Sequence, residues 1–212
     1  MSVPAAVDFT LALPPQPLAG DEIHLWFFPQ WEKAPDAAMS APVRAVLAAY
    51  LDCPAETVRI ERGKHGKPFV AGTQLEFNLA HTGTALLLGV SRGIALGVDL
   101  ESTHRKTRPA TELAWRFFTP AEAEALETLP ESERQTAFLR LWCAKEAAVK
   151  ASGDGIANGL HRVEFALDAA GHVSPASGSA LHLHELAPGS ALIGALAHRS
   201  PVSRVRAFVA RN

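Results

Sequence analysis

Apolar positions in this chain follow two periods, and the switch between them divides it into strands and helices. Ile23 to Phe28 is a short apolar-rich run of strand length. Between Ser40 and Leu51 the residues Val43, Val46, Leu47, Tyr50 and Leu51 fall at helical spacing, which predicts a helix capped by Ser40. Val58 to Glu61, Leu75 to Ala80 and Ala85 to Val90 read as strands, and Ser91-Arg92-Gly93 as a turn. Ile94 to Glu101 alternates. Ile94, Leu96, Val98 and Leu100 share one face of the predicted strand, and Ala95, Gly97, Asp99 and Glu101 share the other.

The second half begins more helically. Thr119-Pro120-Ala121-Glu122 is a capping box with proline at the first helical position, predicting a helix to about Leu129. Ser132-Glu-Arg-Gln135 predicts a second, longer helix through Lys150 that stops at Gly153. Beyond Gly159 the pattern returns to short strands at Arg162 to Leu167, Leu181 to Leu186, Ala191 to Ala197 and Val205 to Val209. The Pro- and Ala-rich opening to Gly20 reads as loose, Pro29 to Asp36 as a connection, and Arg62 to Pro68 as a basic, glycine-rich loop. Helices and strands alternate without regular strand–helix units, so the class is α+β.

Composition narrows this picture. The 212 residues are 48% hydrophobic and 20% charged, an ordinary globular balance that excludes a disordered, collagen-like or coiled-coil chain. A net charge of −2 offers no global basic field for nucleic acid, so any anion site is local. Cys53 and Cys143 are too few for a disulfide framework or zinc cluster and read as free thiols. The first twenty residues lack the basic start of a signal peptide, and the longest apolar stretch is far short of a membrane span. A cytoplasmic location with no membrane partner is expected.

Four segments could carry chemistry. Asp99 and Glu101 project their carboxylates from one strand face, beside a Gly97 that leaves room for a close approach. Two adjacent carboxylates repel unless a cation lies between them, and hard oxygen ligands suit Mg²⁺. On Trp142 to Lys150, Glu146 and Lys150 lie four apart on one helical face, with Lys145 alongside. His81 closes the strand Phe77-Asn78-Leu79-Ala80 and is placed to donate to a phosphate. Lys64-His65-Gly66-Lys67-Pro68 offers cations and free N–H groups. Taken singly, each has an ordinary alternative: a solvated strand end, a surface ion pair, a turn histidine, a basic turn. His182 and His184 share a strand face, but no third ligand lies near them in sequence and no metal site is expected there.

In order and together, these segments resemble the large, double-length 4′-phosphopantetheinyl transferases, the type that activates surfactin synthetase. The resemblance rests on Gly66-Lys67-Pro68, Phe77-Asn78-Leu79-Ala80-His81-Thr82, Gly97-Val98-Asp99-Leu100-Glu101, Arg116-Phe117-Phe118-Thr119 and Trp142-Cys143-Ala144-Lys145-Glu146-Ala147-Ala148-Val149-Lys150. It covers residues 40 to 155 well and the flanks loosely. It implies a monomeric pseudo-dimer of two similar α+β subdomains, 1–98 and 99–212, with the active site at their junction. The implied activity moves the phosphopantetheine arm of coenzyme A to a serine of an apo acyl or peptidyl carrier protein, leaving 3′,5′-ADP.

The resemblance also implies roles. Asp99, Glu101 and Glu146 would hold Mg²⁺ against the pyrophosphate, and Glu146 or a water on the metal would take the serine proton. Lys150 would offset charge on the attacked phosphate. Lys67, Pro68, His81 and Thr82 would line the nucleotide side, with Lys145 as a further phosphate contact. Two departures concern the 3′-phosphate. Ala80 stands where the family often has serine, and Gln30 to Met39 replaces a basic helix. Arg44, Arg62 and Lys64 are the candidate substitutes. His104, Arg105, Lys106 and Arg108 form the densest basic cluster and are candidates to receive an acidic carrier helix. The competing functions are a carrier-binding protein of degenerate activity and another Mg²⁺-dependent phosphodiester-cleaving enzyme.

Overall fold

The computed structural model describes residues 7–12, 16–105, 109–153 and 160–210. In order, it runs β1 (Phe9–Ala12), β2 (Glu22–Phe28), α1 (Ala41–Leu51), β3 (Ile60–Arg62), β4 (Pro68–Val70), β5 (Leu75–Thr82), β6 (Ala85–Arg92) and β7 (Leu96–Ser102). Three helices follow, α2 (Ala110–Phe117), α3 (Pro120–Thr128) and α4 (Glu131–Ser152). Five strands follow those, β8 (Phe165–Leu167), β9 (Val173–Pro175), β10 (His182–Leu186), β11 (Leu192–His198) and β12 (Arg204–Ala210). This is an α+β architecture.

Two sheets dominate. The first has the order β1-β12-β2-β6-β5, with β12 parallel to both of its neighbours. The second is antiparallel with the order β10-β11-β7. The alternation along β2 explains their stacking. Trp26 and Phe28 join α1 in a core with Val43, Leu47 and Phe77. Ile23, Leu25 and Phe27 face the other way and pack on Leu96, Val98 and Leu100 of β7 and Leu196 of β11. The far face of the second sheet packs through Leu183, Ala195 and Ala197 against α4, α3 and α2. The layers therefore run helix, sheet, sheet, helices, and β7 lies at the middle with its second face turned to α4.

Local chemistry accounts for most boundaries. Thr119 caps α3 as expected: its N–H donates to Glu122 Oε2 at 2.8 Å while Glu122 N–H donates to Thr119 Oγ1 at 3.4 Å. The α4 start differs. The helix opens at Glu131 with Pro130 at the cap position and Glu131 and Glu133 in its first turn, where carboxylates favour the helix dipole. Ser40 precedes α1, but its hydroxyl donates back to the Ala37 carbonyl at 2.7 Å and makes no helix cap. Strand β1 falls in the segment expected to be loose; it is held by β12, a partner that no local pattern reveals. Similarly, β4 falls at the end of the expected basic loop, held by β3. The strand expected from Arg162 starts as a 3-10 turn, Leu160–Arg162, and only Phe165–Leu167 is extended. No helix among the described residues is long and apolar enough to cross a membrane.

Candidate active site

The site forms where α4 lies directly on β7. A side chain on Gly97 would bring its Cβ to 2.1 Å from the Ala147 carbonyl oxygen and 2.5 Å from the Ala151 nitrogen, so glycine is what allows this contact. What approaches the backbone at Gly97 is the helix itself. The approach brings Glu146 and Lys150, one turn apart, to the acidic face of β7. Lys150 Nζ donates to Asp99 Oδ1 at 2.7 Å and to the Val98 carbonyl at 3.1 Å. Asp99 and Glu146 are each buried.

The field here is acidic. Burial, then the nearby Asp99 carboxylate, pushes Glu146 above the usual glutamate range. Burial does the same to Glu101, with Asp99 and Glu146 adding to the rise and Arg105 and Lys150 opposing it. The buried Cys143 thiol is pushed well above its usual range by burial and by Asp99 and Glu101. Asp99 Oδ2 is buried with no hydrogen-bond partner among the described residues.

Cations from the protein hold these acids. Lys150 pairs with Asp99, and Arg105 pairs with Glu101 through an i,i+4 contact. Among the described residues no group of three or more His, Cys, Asp or Glu side chains is drawn together closely enough to hold a metal ion by itself. The arrangement is an open set of hard oxygens with one buried oxygen unpartnered. That donor chemistry fits a small hard cation that keeps several of its own waters.

The second element of the site is the outer edge of β7. An edge strand leaves N–H and C=O groups unpaired. Here side chains satisfy them: Val98 N–H donates to Asn78 Oδ1 at 2.8 Å, and Lys67 Nζ donates to the Leu96 carbonyl at 3.1 Å and the Lys150 carbonyl at 2.8 Å. Burial lowers the Lys67 ammonium from its usual value. Asn78 and Lys67 thus lock β5 and the β3–β4 hairpin to β7 and to the end of α4. Asn78 carried no expected role. Its signal in the sequence is a carboxamide on a buried strand, which needs a partner.

A cleft of about 700 Å³ opens beside this seam, lined among others by Asp36, Ala38, Arg62, His65, Pro68 and Lys150. His81 lies at the end of β5, its ring 5.1 Å from that of Trp31. Burial lowers its pKa, with Lys33 and Lys150 adding to the effect. Thr82 ends the same strand, paired with Ala85 across the turn. Of the expected site residues, Arg62, Lys67, Pro68 and Lys150 line this cleft, and Lys150 joins it to the acidic face of β7 through Asp99. His81 and Thr82 end β5, whose Asn78 and Leu79 line the cleft.

Other candidates are engaged elsewhere. Lys145 is fully buried on the opposite side of α4, its Nζ 2.7 Å from Glu122 Oε2 and donating to the Leu160 carbonyl at 3.0 Å. It cannot reach a phosphate in the groove, and its surroundings correct that expectation. Arg44 donates to the Ala55, Glu56 and Val58 carbonyls at 2.9–3.2 Å, tying α1 to the turn that follows it. Arg62 is paired with Asp36 at 2.6 Å. Lys64 is exposed and is not among the residues lining the cleft. Lys106 and Arg108 lie outside the described residues.

Comparison with known proteins fits this geometry. Residues 95–194, from β7 through α4 into β11, match the 4′-phosphopantetheinyl transferase superfamily. The chain is 34% identical over 187 residues to the 4′-phosphopantetheinyl transferase HetI of a Nostoc species, covering 85% of this chain and 78% of that one. It is 39% identical over 128 residues to a putative 4′-phosphopantetheinyl transferase of a Synechocystis species, covering 59% and 52%. It is 28% identical over 163 residues to the 4′-phosphopantetheinyl transferase Sfp of Bacillus subtilis, covering 74% and 70%. The Nostoc likeness runs through most of both chains and is not confined to the acidic strand and helix: this chain belongs to the 4′-phosphopantetheinyl transferase superfamily and is an enzyme that modifies carrier proteins.

Proposed function

We propose that the enzyme moves the phosphopantetheine arm of coenzyme A to a serine of an apo acyl or peptidyl carrier protein, in the groove between β7, α4 and the β3–β4 hairpin. The serine oxygen forms a bond to the pantetheine-side phosphorus. The bond from that phosphorus to the bridging oxygen breaks, and 3′,5′-ADP leaves with the electron pair. Glu146, its carboxylate kept basic by burial and by Asp99, accepts the serine proton. Lys150 stands where charge grows on the attacked phosphate and can shift from Asp99 toward it. Lys67 and Pro68 shape the floor, Arg62 borders the nucleotide end, and His81 and Thr82 flank the phosphates.

The observation that carries this reading is the unpartnered, buried Asp99 Oδ2 beside Glu101 and Glu146. Mg²⁺ held by Asp99, Glu101 and Glu146 would supply charge neutralisation for the pyrophosphate. We propose also that the chain divides near Val98 into two similar halves that work as a monomer, with β12 reaching back into the first sheet.

The test is the intact mass of an apo carrier after incubation with enzyme, coenzyme A and Mg²⁺. A gain of one phosphopantetheine, abolished by a chelator, is expected. No gain with several diverse carriers overturns the reading. Release of 3′,5′-ADP without a carrier then identifies a phosphodiester-cleaving enzyme, and carrier binding without a mass gain identifies a degenerate binder.

A further inference from the structure

Strands β10 and β11 assemble three histidines that lie far apart in sequence. His182 stands opposite His198 in register, and His184, two residues along β10, shares that face. The His182 and His198 rings stack at 5.0 Å and 7°, and the His184 and His198 rings at 5.4 Å and 20°. His184 Nε2 lies 3.2 Å from His198 Nε2. His198 Nδ1 lies 2.8 Å from the Ser200 carbonyl oxygen, and the residue is 1% exposed. A carbonyl oxygen only accepts, so His198 carries its proton on Nδ1 and turns the lone pair of Nε2 toward His184.

We propose that His184 and His198 form a two-imidazole chelate for a borderline divalent cation of the Zn²⁺ class. Zinc–imidazole bonds are about 2.0–2.1 Å. Two such bonds to nitrogens 3.2 Å apart enclose an angle of about 100°, close to tetrahedral, and the two rings, which now face each other through Nε2, turn toward the ion to make them. The ion replaces the hydrogen now shared between the two Nε2 atoms. The His184 proton shifts to Nδ1, both rings stay neutral, and no net proton is released. The bond from His198 Nδ1 to Ser200 is the outer-shell contact that fixes tautomer and ring orientation for a metal-bound imidazole. Water completes the shell on the side of the exposed His182.

This site differs from the acidic groove in ligand chemistry and in place. Imidazoles select zinc-class ions, whereas the carboxylates suit Mg²⁺. Along β11, Ala195 stands opposite Asp99 of β7 while His198 stands opposite Leu96. The ion would clamp β10 to β11 at one end of the sheet whose edge strand carries Asp99.

The experiment is calorimetric titration of the metal-stripped enzyme with Zn²⁺ alone, in excess Mg²⁺ to occupy the carboxylates. One equivalent is expected to bind to wild type, and His184→Gln and His198→Gln are each expected to weaken binding at least about tenfold. His172→Gln serves as the control, since His172 pairs with Glu185 at 2.6 Å and lies outside the cluster. The wild-type enzyme is expected to show His184 and His198 ring signals shifting on Zn²⁺ addition by NMR. His184 is only partly buried, so His184→Gln decides the matter if His198→Gln misfolds. Equal Zn²⁺ affinity in wild type and His184→Gln, or no binding to wild type at millimolar Zn²⁺, overturns the proposal.

Discussion

Lys150 Nζ lies 2.7 Å from Asp99 Oδ1, so one lysine of α4 neutralises the acid at the middle of β7. Removing it leaves Asp99 nearly buried beside Glu101 and Glu146 with no cation on it. Breaking such a pair typically costs about 3–5 kcal/mol. Lys150→Met is therefore expected to lower the melting temperature of the metal-free enzyme. Added Mg²⁺ is expected to restore much of that loss by taking over the charge of the carboxylates. Turnover is expected to fall about 10²-fold or more, with a smaller change in the coenzyme A KM. Melting curves with and without Mg²⁺ check the first part, and steady-state kinetics the second. A variant whose stability is unchanged and indifferent to Mg²⁺ would remove Lys150 from this role.

Gly97 makes the relationship possible. Its missing side chain is where the Ala147 carbonyl sits, and a Cβ there meets backbone atoms, which cannot rotate aside. Gly97→Ala is expected to push α4 off β7, with a stability loss of roughly 2 kcal/mol or more, within the range for overpacking. Activity is expected to fall with it although every charged residue remains. Urea denaturation and turnover measure the two effects. Normal values for both would show that the helix has slack at this point.

These two contacts show what the sequence makes legible. The alternation of β7 and the spacing of Glu146 and Lys150 place three carboxylates and a lysine on facing surfaces from local periodicity alone. Gly97 between them signals a close approach, though not what approaches. Long-range engagement stays hidden. Nothing local distinguishes Lys145, which turns to Glu122, from Lys150, which turns to Asp99, because the difference depends on which side of α4 meets β7. Arg44 likewise presents a cation in sequence, and only the fold of the turn at Ala55–Thr57 shows its guanidinium capped by carbonyls. Strand β1 and the pairing of His198 with His182 depend on partners that no window of sequence contains.

Lys145 and Glu122 form a fully buried pair that ties α4 to α3 and β8. Glu122 also accepts the N–H of Phe165 at 2.9 Å, and the Lys145 ammonium lies over the Phe118 ring at 5.3 Å. Lys145→Met is expected to destabilise strongly, about 3–5 kcal/mol, because Glu122 remains buried without its cation. Lys145→Met combined with Glu122→Gln is expected to recover part of the loss. The coenzyme A KM of whatever folds is expected to stay near wild type. A well-folded Lys145→Met enzyme with a raised coenzyme A KM would return this lysine to the phosphates.

His24 provides a pH-dependent term in the first sheet. It is fully buried, its Nδ1 is 2.7 Å from the Tyr50 hydroxyl, and burial, with Arg206, lowers its pKa to about 4. The unfolded chain takes up this proton near pH 6.5, whereas the folded one takes it up only near pH 4. The unfolded state therefore binds more protons between these values. The stabilisation is complete above pH 6.5 and is lost progressively as pH falls toward 4, on the order of 3 kcal/mol in all. His24→Gln is expected to flatten the stability curve in that window. Denaturant titrations at a series of pH values measure it, and an unchanged slope would show that His24 stays accessible to protons in the fold.

At the nucleotide end the available cations are already engaged within the protein. The cleft borders Arg62, but Arg62 is paired with Asp36 at 2.6 Å and donates to the Gly66 carbonyl at 2.7 Å. The Arg62 partner holds the Asp36 carboxyl below its usual range, so the pair stays ionised. Arg44 is capped by carbonyls, Lys67 is engaged on the edge of β7, and Ala80 has no hydroxyl. A 3′-phosphate entering this cleft would meet cations already occupied. Discrimination between coenzyme A and dephospho-coenzyme A is therefore expected to be weak, below about tenfold, since one free charge-assisted contact alone would exceed that. Asp36→Ala is expected to release Arg62 and raise the preference for coenzyme A by about tenfold, and Arg62→Ala to change wild-type affinity little. Calorimetric titration of both nucleotides into wild type, Asp36→Ala and Arg44→Ala resolves it. A strong wild-type preference for coenzyme A that disappears in Arg44→Ala would mean that Arg44 leaves its carbonyls for the ligand, and would refute the weak-binding expectation.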